Sequence, residues 1–335
     1  MRVGIVGAGS MGSVHAAAWS RTGAEFVGIS AQDAASAERL AAQYGVQSFP
    51  DLDSLLPHVD VIDLCVPSDL HRPMTEQAAA AGKHVVCEKP MALNLTDAQA
   101  MMDACEAAGV RLFIAHVVRF FPQYRTAAES VKAGDVGDLG VLRLKRVAYT
   151  PYAGTASWFA DETRSGGMVF DLMIHDLDYA RMVGGPVEHV FAKAIPQPKP
   201  EDIVGTPRNY VLATLRFTSG AMALVEGGWA YPPGTFRTSL DIAGREGLLE
   251  WSSDDTATLR TFLETPEGAA TAVGLPTNAY GEDPYTTEIQ HVHDALRDGT
   301  PFAVTPDDAL EAVRLAMAVR QSIQTGQVVK LAEVV

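Results

Sequence analysis

Three features are scarce or missing in this 335-residue chain: cysteine, long apolar runs and an excess of positive charge. The three cysteines, Cys65, Cys87 and Cys105, have no CxxC spacing and lie in apolar or helical stretches. This pattern excludes a disulfide framework and favours buried thiols in a reducing compartment. No apolar run approaches the roughly 18–20 residues that span a bilayer, and the first residues lack the cleavage pattern of a signal peptide. We therefore expect a soluble, cytoplasmic protein.

The charge balance also limits the partners of the protein. Acidic residues outnumber basic ones by 41 to 26, which gives a formal net charge of −15. A chain this acidic repels phosphate backbones, so we do not expect a nucleic acid as its main partner. Hydrophobic residues at 47% and charged residues at 20% exclude overall disorder. Because domains usually contain roughly 100–200 residues, the length predicts two of them.

The first third of the chain alternates short β-rich runs with helical stretches. Strands are predicted at residues 2–6, 26–30, 59–66, 84–88 and 112–118. Strands that alternate with helices of about 10–15 residues are typical of βαβ units and a parallel sheet. We therefore predict a doubly wound α/β domain over residues 1–120.

The pattern changes after Pro122, where strand signals follow one another. A strand at 141–149 and a helix at about 167–183 precede predicted strands at 187–195, 210–217, 222–229, 238–243, 248–251 and 258–263, and helices at about 284–297 and 306–325 close the chain. Several of these strands alternate apolar with polar residues, which favours antiparallel pairing with one exposed face. We predict a second, α+β domain over residues 121–335.

A glycine-rich segment follows the first strand and opens a helix. It reads Gly7-Ala8-Gly9-Ser10-Met11-Gly12, a GxGxxG pattern at the start of a βαβ series. The first glycine permits a tight turn, the second lets backbone amides approach a pyrophosphate, and the third lets the helix pack on the strand. The helix end adds positive potential. The segment predicts a dinucleotide site.

The end of the second strand normally selects between NAD and NADP. An acidic residue there bonds the ribose 2′-hydroxyl of NAD, and a basic one favours NADP. Here Ser30, Ala31 and Gln32 are neither, and Asp33 comes late. We expect Ser30 and Gln32 to line the cofactor, and the choice between NAD and NADP stays open.

Two further strand ends carry polar residues. The third predicted strand ends in Val66-Pro67-Ser68, with His71 three residues later, and the fourth ends in Glu88-Lys89-Pro90. Ligands bind at the carboxyl ends of strands in open α/β sheets, so Pro67, Ser68, His71, Glu88 and Lys89 are predicted to contact the cofactor. A lysine here can sit against a nicotinamide and a substrate hydroxyl, although an exposed surface lysine is the alternative.

The helix predicted from residue 167 places Asp171, His175 and Asp178 at spacings i, i+4 and i+7, on one face. A carboxylate one turn from a histidine can orient the imidazole and raise its basicity, as a general base requires. A structural His–Asp pair is one alternative. A metal site is a second alternative, but the sequence offers neither an obvious third ligand nor an HExxH pattern. We predict no metal.

These segments together resemble the Gfo/Idh/MocA oxidoreductases, the group of glucose–fructose oxidoreductase and inositol dehydrogenase. The resemblance covers nearly the whole chain. It rests on the GxGxxG segment, Val66-Pro67-Ser68 with His71, Gly82-Lys83-His84-Val85 leading to Glu88-Lys89-Pro90, Arg119-Phe120, Gly166-Gly167 with Asp171 and His175, Tyr285-x-x-Glu288 and Ser322-x-x-Thr325-Gly326.

The resemblance implies a Rossmann domain followed by a domain with an open, mostly antiparallel sheet that often mediates homo-oligomers. It implies NAD or NADP as cofactor and Lys89, Asp171 and His175 as the catalytic group. His175 is expected to take the proton of a hydroxyl whose carbon gives hydride to nicotinamide C4. Lys89 is expected to bond the same oxygen and stabilise alkoxide character, and Asp171 to tune both. A cis peptide is implied before Pro90.

The substrate is less defined. Inositol-oxidising relatives tend to carry two arginines after the fifth strand, whereas here Val118 precedes Arg119. We expect His116 and Arg119 to face the substrate. Trp158 either stacks on a sugar ring or pins its loop.

The predicted activity is NAD(P)-dependent oxidation or reduction of a secondary alcohol in a sugar, cyclitol or related polyol. Two other functions stay open: an NAD-dependent glycoside hydrolase that oxidises its substrate transiently, and a non-catalytic nucleotide or sugar sensor. The sensor has no need of a proton-transfer set such as Lys89, Asp171 and His175.

Overall fold

The computed structural model describes residues 1–150, 158–195, 210–232, 234–254 and 283–335. Within them the chain forms two compact units. The first contains Met1–Phe121 and residues 283–313, and the second contains the described residues between Pro122 and Asp254 together with Arg314–Val335. The strand predicted at 258–263 lies outside the described residues.

The first unit is a parallel sheet with helices between its strands. Its strands are β1 (Arg2–Val6), β2 (Glu25–Ser30), β3 (Gln47–Phe49), β4 (Val61–Leu64), β5 (His84–Glu88) and β6 (Leu112–Ala115), and its helices are α1 (Ser10–Trp19), α2 (Ala34–Tyr44), α3 (Leu52–Leu55), α4 (His71–Ala80) and α5 (Leu95–Ala107). The sheet order is β3-β2-β1-β4-β5-β6. This arrangement confirms the predicted doubly wound fold.

Burial explains why these strands lack alternation. All four residues of β4 and all four of β6 are buried, because helices cover both faces of a parallel sheet. Two predictions are corrected. The edge strand β3 was missed because three residues show no periodicity, and β6 ends at Ala115, after which Val117–Phe120 forms a 3-10 turn.

The second unit is a seven-stranded sheet with helices on one face. Its helices include α6 (Pro122–Ala133), α7 (Glu162–Ser165) and α8 (Ile174–Gly184), and its strands are β7 (Leu139–Ala148), β8 (Val187–Ala194), β9 (Tyr210–Phe217), β10 (Met222–Gly228), β11 (Phe236–Gly244) and β12 (Leu248–Ser252). After α9 (Pro284–Asp298) and α10 (Pro306–Thr325) comes β13 (Val329–Lys330). The sheet order is β12-β11-β7-β10-β9-β8-β13.

This sheet is antiparallel except for one pair. β10 runs parallel to β7, and the other neighbouring strands run antiparallel. In β9 the buried residues alternate with accessible ones, and the buried face packs against α8 and the π-helical segment Val169–Met173 through β7 and β10. The mostly antiparallel second sheet is thus confirmed.

Helix α9 follows the predicted domain division at residue 120 in sequence, but it packs in the first unit. It lies against α1 of the first unit, where Ile289 and Val292 join a core that includes Ala16 and Trp19. The physical reason is the apolar stripe of α9, which is buried in this core. The chain therefore returns to its first unit after more than 150 residues in the second.

Candidate active site

The turn between β1 and α1 has the geometry of a phosphate-binding loop. Gly7 has a φ of +114°, and a Cβ there would lie 2.1 Å from the carbonyl oxygen of Cys65. A Cβ at Gly12 would lie 1.9 Å from the carbonyl oxygen of Gly7. A Cβ at Gly9 would meet no protein atom within 4 Å. Two of the glycines are therefore required by close packing, and the third leaves the backbone open.

The first turn of α1 suits an anion. Gly9 is its N-cap, provides no side-chain cap, and is followed by no acidic residue in the first turn. Amide N–H groups at such an end lack helical partners and carry the positive end of the helix dipole. Gly9 and Ser10 are exposed, and Ala8 and Met11 are partly exposed. These residues fit the pyrophosphate of a dinucleotide.

The end of β2 lies beside this loop. The Gly7 amide donates to the carbonyl oxygen of Ser30 at 2.7 Å, which ties the loop to the second strand. Ser30 is buried and Gln32 is exposed. Asp33 is the N-cap of α2, where its carboxylate accepts a hydrogen bond from the Ser36 hydroxyl.

The turn after β4 brings His71 inward. Its Nδ1 lies 2.8 Å from the carbonyl oxygen of Pro90, and its Nε2 lies 3.0 Å from that of Val66. Burial lowers the pKa of this imidazole, against these two contacts. His71 thus spans the turns after β4 and β5, which differs from the predicted cofactor contact. Pro67 stays partly exposed and Ser68 is buried.

The turn after β5 carries the Glu88-Lys89-Pro90 segment. The Lys89–Pro90 peptide is cis, as the resemblance implied. Lys89 is partly exposed, whereas Glu88 is buried. The Glu88 Oε2 accepts the Lys89 amide hydrogen at 3.0 Å, and its Oε1 lies 3.2 Å from His15 Nε2. The carboxylate of Glu88 therefore turns into the fold, which differs from its predicted role as a cofactor ligand.

In the second unit, Asp171 and His175 lie on successive turns of different geometry. Asp171 belongs to the π-helical segment Val169–Met173, and His175 lies in the first turn of α8. Between Gly167 and Ala180, only these two residues keep partial exposure. Asp178 is buried, so it does not share an accessible face with them. Single π-helical turns occur frequently at functional sites.

A buried ion pair anchors this helix. The Arg146 guanidinium of β7 donates to both carboxylate oxygens of Asp176, from Nε at 2.8 Å and from Nη2 at 3.2 Å. Burial raises the pKa of Asp176, and the arginine opposes that rise. Sequence reasoning missed this pair, because an arginine in an alternating strand resembles a solvent-facing residue.

The predicted substrate contacts have mixed positions. His116 is buried at the end of β6. Arg119 is also buried, and its Nη1 donates to the carbonyl oxygen of Ala303 at 3.0 Å and to Asp308 Oδ2 at 3.2 Å. Arg119 therefore holds the returning segment of the first unit, a correction that depends on a contact 189 residues away in sequence. Trp158 stacks on Phe159 with ring centroids 4.0 Å apart.

The structure describes the site residues in two groups. At the carboxyl edge of the first sheet lie the glycine loop, Pro67, Ser68, Lys89 and His116. The second unit contains Trp158, Asp171 and His175. Sequence reasoning missed one set in the first unit: the buried side chains of His15, Asp63 and Glu288. The signals were present, as a histidine three residues after Gly12 and an acidic residue inside an apolar strand.

Fold and site together define an NAD(P)-dependent dehydrogenase, an enzyme that moves a hydride between a CH–OH group and a nicotinamide. A family model described as "Oxidoreductase family, NAD-binding Rossmann fold" matches residues 1–116, and the GFO/IDH/MocA C-terminal domain matches residues 124–250. The chain therefore belongs to the Gfo/Idh/MocA oxidoreductase family. Its first domain is an NAD-binding Rossmann fold.

Individual relatives align over the whole chain. It is 28% identical to a myo-inositol 2-dehydrogenase of Thermotoga maritima, with 100% of both chains covered. It is 28% identical to a 1,5-anhydro-D-fructose reductase of Ensifer adhaerens, with 98% of both covered. A crystal structure of a probable dehydrogenase from Thermotoga maritima matches with a TM-score of 0.84 at 27% identity, covering 100% of both chains. No helix among the described residues is long and apolar enough to cross a membrane.

Proposed function

We propose that the protein transfers a hydride between a secondary alcohol of a sugar, cyclitol or related polyol and a nicotinamide, with His175 as general base. The relatives named above act on a cyclitol and on an anhydro sugar. The Gfo/Idh/MocA membership supports the reaction type, and the sugar and cyclitol names support the substrate class.

The observation that carries this proposal is the selective exposure of Asp171 and His175. Every other residue from Gly167 to Ala180 is buried. Burying a carboxylate and an imidazole would cost free energy, so their partial exposure in an otherwise buried segment leaves both groups able to contact a bound molecule. The pair consequently has a use outside the core of its unit.

Each proposed catalytic side chain has a distinct task. The bound nicotinamide supplies the hydride acceptor or donor. His175 takes the hydroxyl proton of the substrate at an imidazole nitrogen and returns it in the reverse direction. The Lys89 ammonium donates a hydrogen bond to the same substrate oxygen, which stabilises alkoxide character. Asp171 orients the imidazole and favours its protonated form.

The cofactor is held by the carboxyl edge of the first sheet. We assign the pyrophosphate to the backbone of Gly7, Ala8, Gly9, Ser10, Met11 and Gly12, and the ribose and nicotinamide portions to Ser30, Gln32, Pro67, Ser68 and Lys89. The open space at Gly9 and the uncapped first turn of α1 support the first assignment. For the substrate we retain Trp158 and His116, and we place the division between cofactor and substrate domains near residue 120.

Removal of the His175 imidazole tests the proposal. His175→Ala is expected to lower kcat by about 100-fold or more, the usual contribution of a general base, while the Kd for NADH changes little because the substitution lies in the second unit. A panel of sugars and polyols, assayed with both cofactors by nicotinamide absorbance, provides the substrate. His189→Ala, which removes a partly exposed histidine from β8 of the same unit, is the matched control.

Two outcomes contradict the proposal. If His175→Ala leaves kcat unchanged, His175 is not the general base. If a sugar is cleaved without net NADH formation, the protein is the glycoside hydrolase instead.

A further inference from the structure

Beneath the glycine loop, the first unit buries an unusual group of ionisable side chains. It consists of His15 on α1, Asp63 on β4, Glu88 at the end of β5 and Glu288 on α9, which we name the buried cluster. None of the four is more than 7% exposed. Carboxylates are rarely buried unless they are paired, and here two of them, Asp63 and Glu88, contact one imidazole, while Glu288 is buried in the same unit. A fold needs no such group for stability, so its retention calls for another explanation.

The buried cluster forms a continuous path from α1 to the backbone of Lys89. His15 Nδ1 donates to Asp63 Oδ2 at 2.8 Å, and the Trp19 indole donates to the same oxygen at 2.7 Å. On the other side of the ring, Nε2 lies 3.2 Å from Glu88 Oε1. Glu88 Oε2 then accepts the Lys89 amide hydrogen at 3.0 Å. The helix that opens the phosphate loop is therefore linked to the turn of Lys89.

The charges within the buried cluster support this path. Burial opposes ionisation of His15, but the charges and hydrogen bonds of Asp63 and Cys65 together outweigh it and raise the pKa of the imidazole well above its ordinary value. Burial also acts against Glu88, yet its contact with His15 lowers the pKa of the carboxyl. Burial raises the pKa of Glu288 well above its ordinary value. The contacts of His15 with Asp63 and Glu88 thus favour the charged form of the imidazole, while burial favours the neutral form of Glu288.

The alternative use of these residues is metal binding. His15, Asp63 and Cys65 offer ligand atoms within 4.8 Å of one another. However, Asp63 Oδ2 already accepts two short N–H hydrogen bonds, and burial raises the pKa of the Cys65 thiol, which keeps it protonated. A metal would have to displace both bonds and the thiol proton, so the geometry favours a hydrogen-bonded His15–Asp63 pair with an ion-pair contact to Glu88.

We propose that His15 is a positioning residue for Lys89 and that it acts through the carboxylate of Glu88. The imidazole fixes Glu88, and Glu88 fixes the Lys89 peptide through its amide. From the other side, His71 contacts the carbonyl oxygen of Pro90 at 2.8 Å. The turn is thus held by two buried histidines, so the lysine side chain leaves a fixed backbone. This inference rests on the proposed function in one respect, the catalytic role of Lys89.

A double-mutant cycle between Glu88 and Lys89 tests the inference. Glu88→Ala leaves the His15–Asp63 pair intact and is expected to lower kcat by about 10- to 100-fold, the range for loss of a supporting partner. The KM and the Kd for NADH should change less than about threefold, because the substitution does not remove an interaction that holds the substrate or the cofactor before the reaction. In a Lys89→Met background, Glu88→Ala should lower the residual kcat less than about threefold, because the group it positions is gone.

Conservative variants separate positioning from folding. Glu88→Gln keeps an oxygen for the Lys89 amide and a donor for a neutral His15, so it should retain kcat within about fivefold of wild type. His15→Ala should lower kcat by the same factor as Glu88→Ala. If His15→Ala does not fold, His15→Gln replaces it; its amide can donate to only one carboxylate, and it should lose about 10-fold.

The outcomes distinguish the inference from the proposed function. If Lys89→Met alone retains its kcat, the catalytic role of Lys89 is wrong. If Lys89→Met loses most of its kcat but Glu88→Ala keeps kcat, or lowers kcat by the same factor in both backgrounds, only the positioning role fails. One zinc ion per purified chain, measured by elemental analysis, would replace the inference by a metal site.

Discussion

At the residue scale, the three glycines of the phosphate loop are required for different physical reasons. Gly7 combines a positive φ with a backbone oxygen that would lie 2.1 Å from a Cβ, and a Cβ at Gly12 would lie 1.9 Å from the carbonyl oxygen of Gly7. Gly9 has an ordinary φ of −81° and open space. Substitutions at Gly7 and Gly12 therefore act on the fold, whereas a substitution at Gly9 acts on whatever binds there.

The contrast between Gly9 and Gly12 gives a direct prediction. Gly9→Ala should fold with a stability within about 1 kcal/mol of wild type, the usual range for an exposed substitution. It should nevertheless weaken NADH binding at least about 10-fold, since the methyl group crowds the phosphate-binding backbone. Gly12→Ala should lose about 1–3 kcal/mol from overpacking. Thermal unfolding without ligand and fluorescence titration measure the two effects. Equal NADH affinity in Gly9→Ala would refute the assignment of the loop.

Some site residues were predictable from sequence and others were not. The glycine loop follows from local spacing and strand context alone. The protein partners of Arg119 and Glu88 were not predictable, because Asp308 and His15 lie 189 and 73 residues away. A strand-end position predicts that a side chain lies near the ligand edge, but it does not predict which way the side chain turns.

At the element scale, the ion pair between Arg146 and Asp176 fixes α8 on β7. Both side chains are almost fully buried, and the Tyr124 hydroxyl accepts a further bond from Arg146 at 3.4 Å. Because His175 directly precedes Asp176 in the chain, the anchor also fixes where the imidazole leaves the helix. A buried pair of this kind need not stabilise the fold relative to apolar residues, but breaking it is costly.

Arg146→Leu should destabilise the protein by about 3–5 kcal/mol, since Asp176 is left buried without its cation. The folded pKa of Asp176 is raised by burial, so the folded state keeps a proton that the unfolded state releases. Stability of the variant should therefore fall as the pH rises from the unfolded pKa of about 3.9 through the raised folded value. Denaturant unfolding at pH 5 and pH 8 measures this. The difference in free energy of unfolding between wild type and variant should be smaller at pH 5 than at pH 8. A difference that does not depend on pH would contradict this explanation.

The elements that sequence reasoning missed share a physical cause. β3 and β13 contain three and two residues, too few to show a period of two. The π-helical segment interrupts a run whose composition fits a continuous α-helix, because the insertion depends on packing against β10 and not on local propensity. α9 was predicted as a helix almost to its last residue, but its packing on α1 needed the tertiary structure.

At the scale of the whole molecule, one face of the second sheet carries exposed apolar side chains among the residues that the structure describes. Phe191, Leu212, Met222 and Leu224 point to this face and are 37–57% exposed. The strand register places Phe191 opposite Thr214 and Thr214 opposite Leu224, so the apolar side chains are spread over β8, β9 and β10 with polar ones between them. Protein–protein interfaces commonly mix exposed apolar side chains with polar ones in this way. We propose that this face pairs with the same face of a second chain, as a homo-oligomer requires.

Charge placed on this face should dissociate the oligomer without unfolding the chain. Leu212→Lys and Leu224→Lys should reduce the mass in light scattering to that of a single chain, because a self-complementary interface meets each new charge twice. Val328→Lys, at an exposed apolar residue just before β13, should leave the mass unchanged. Circular dichroism checks that all three variants are folded. The proposal is wrong if the wild-type protein is monomeric at every concentration, or if the Lys variants keep the oligomeric mass. The face would then belong to another partner. The acidic net charge of −15 does not oppose pairing, since the face alternates Arg143 and Lys145 with Asp241 and Glu226.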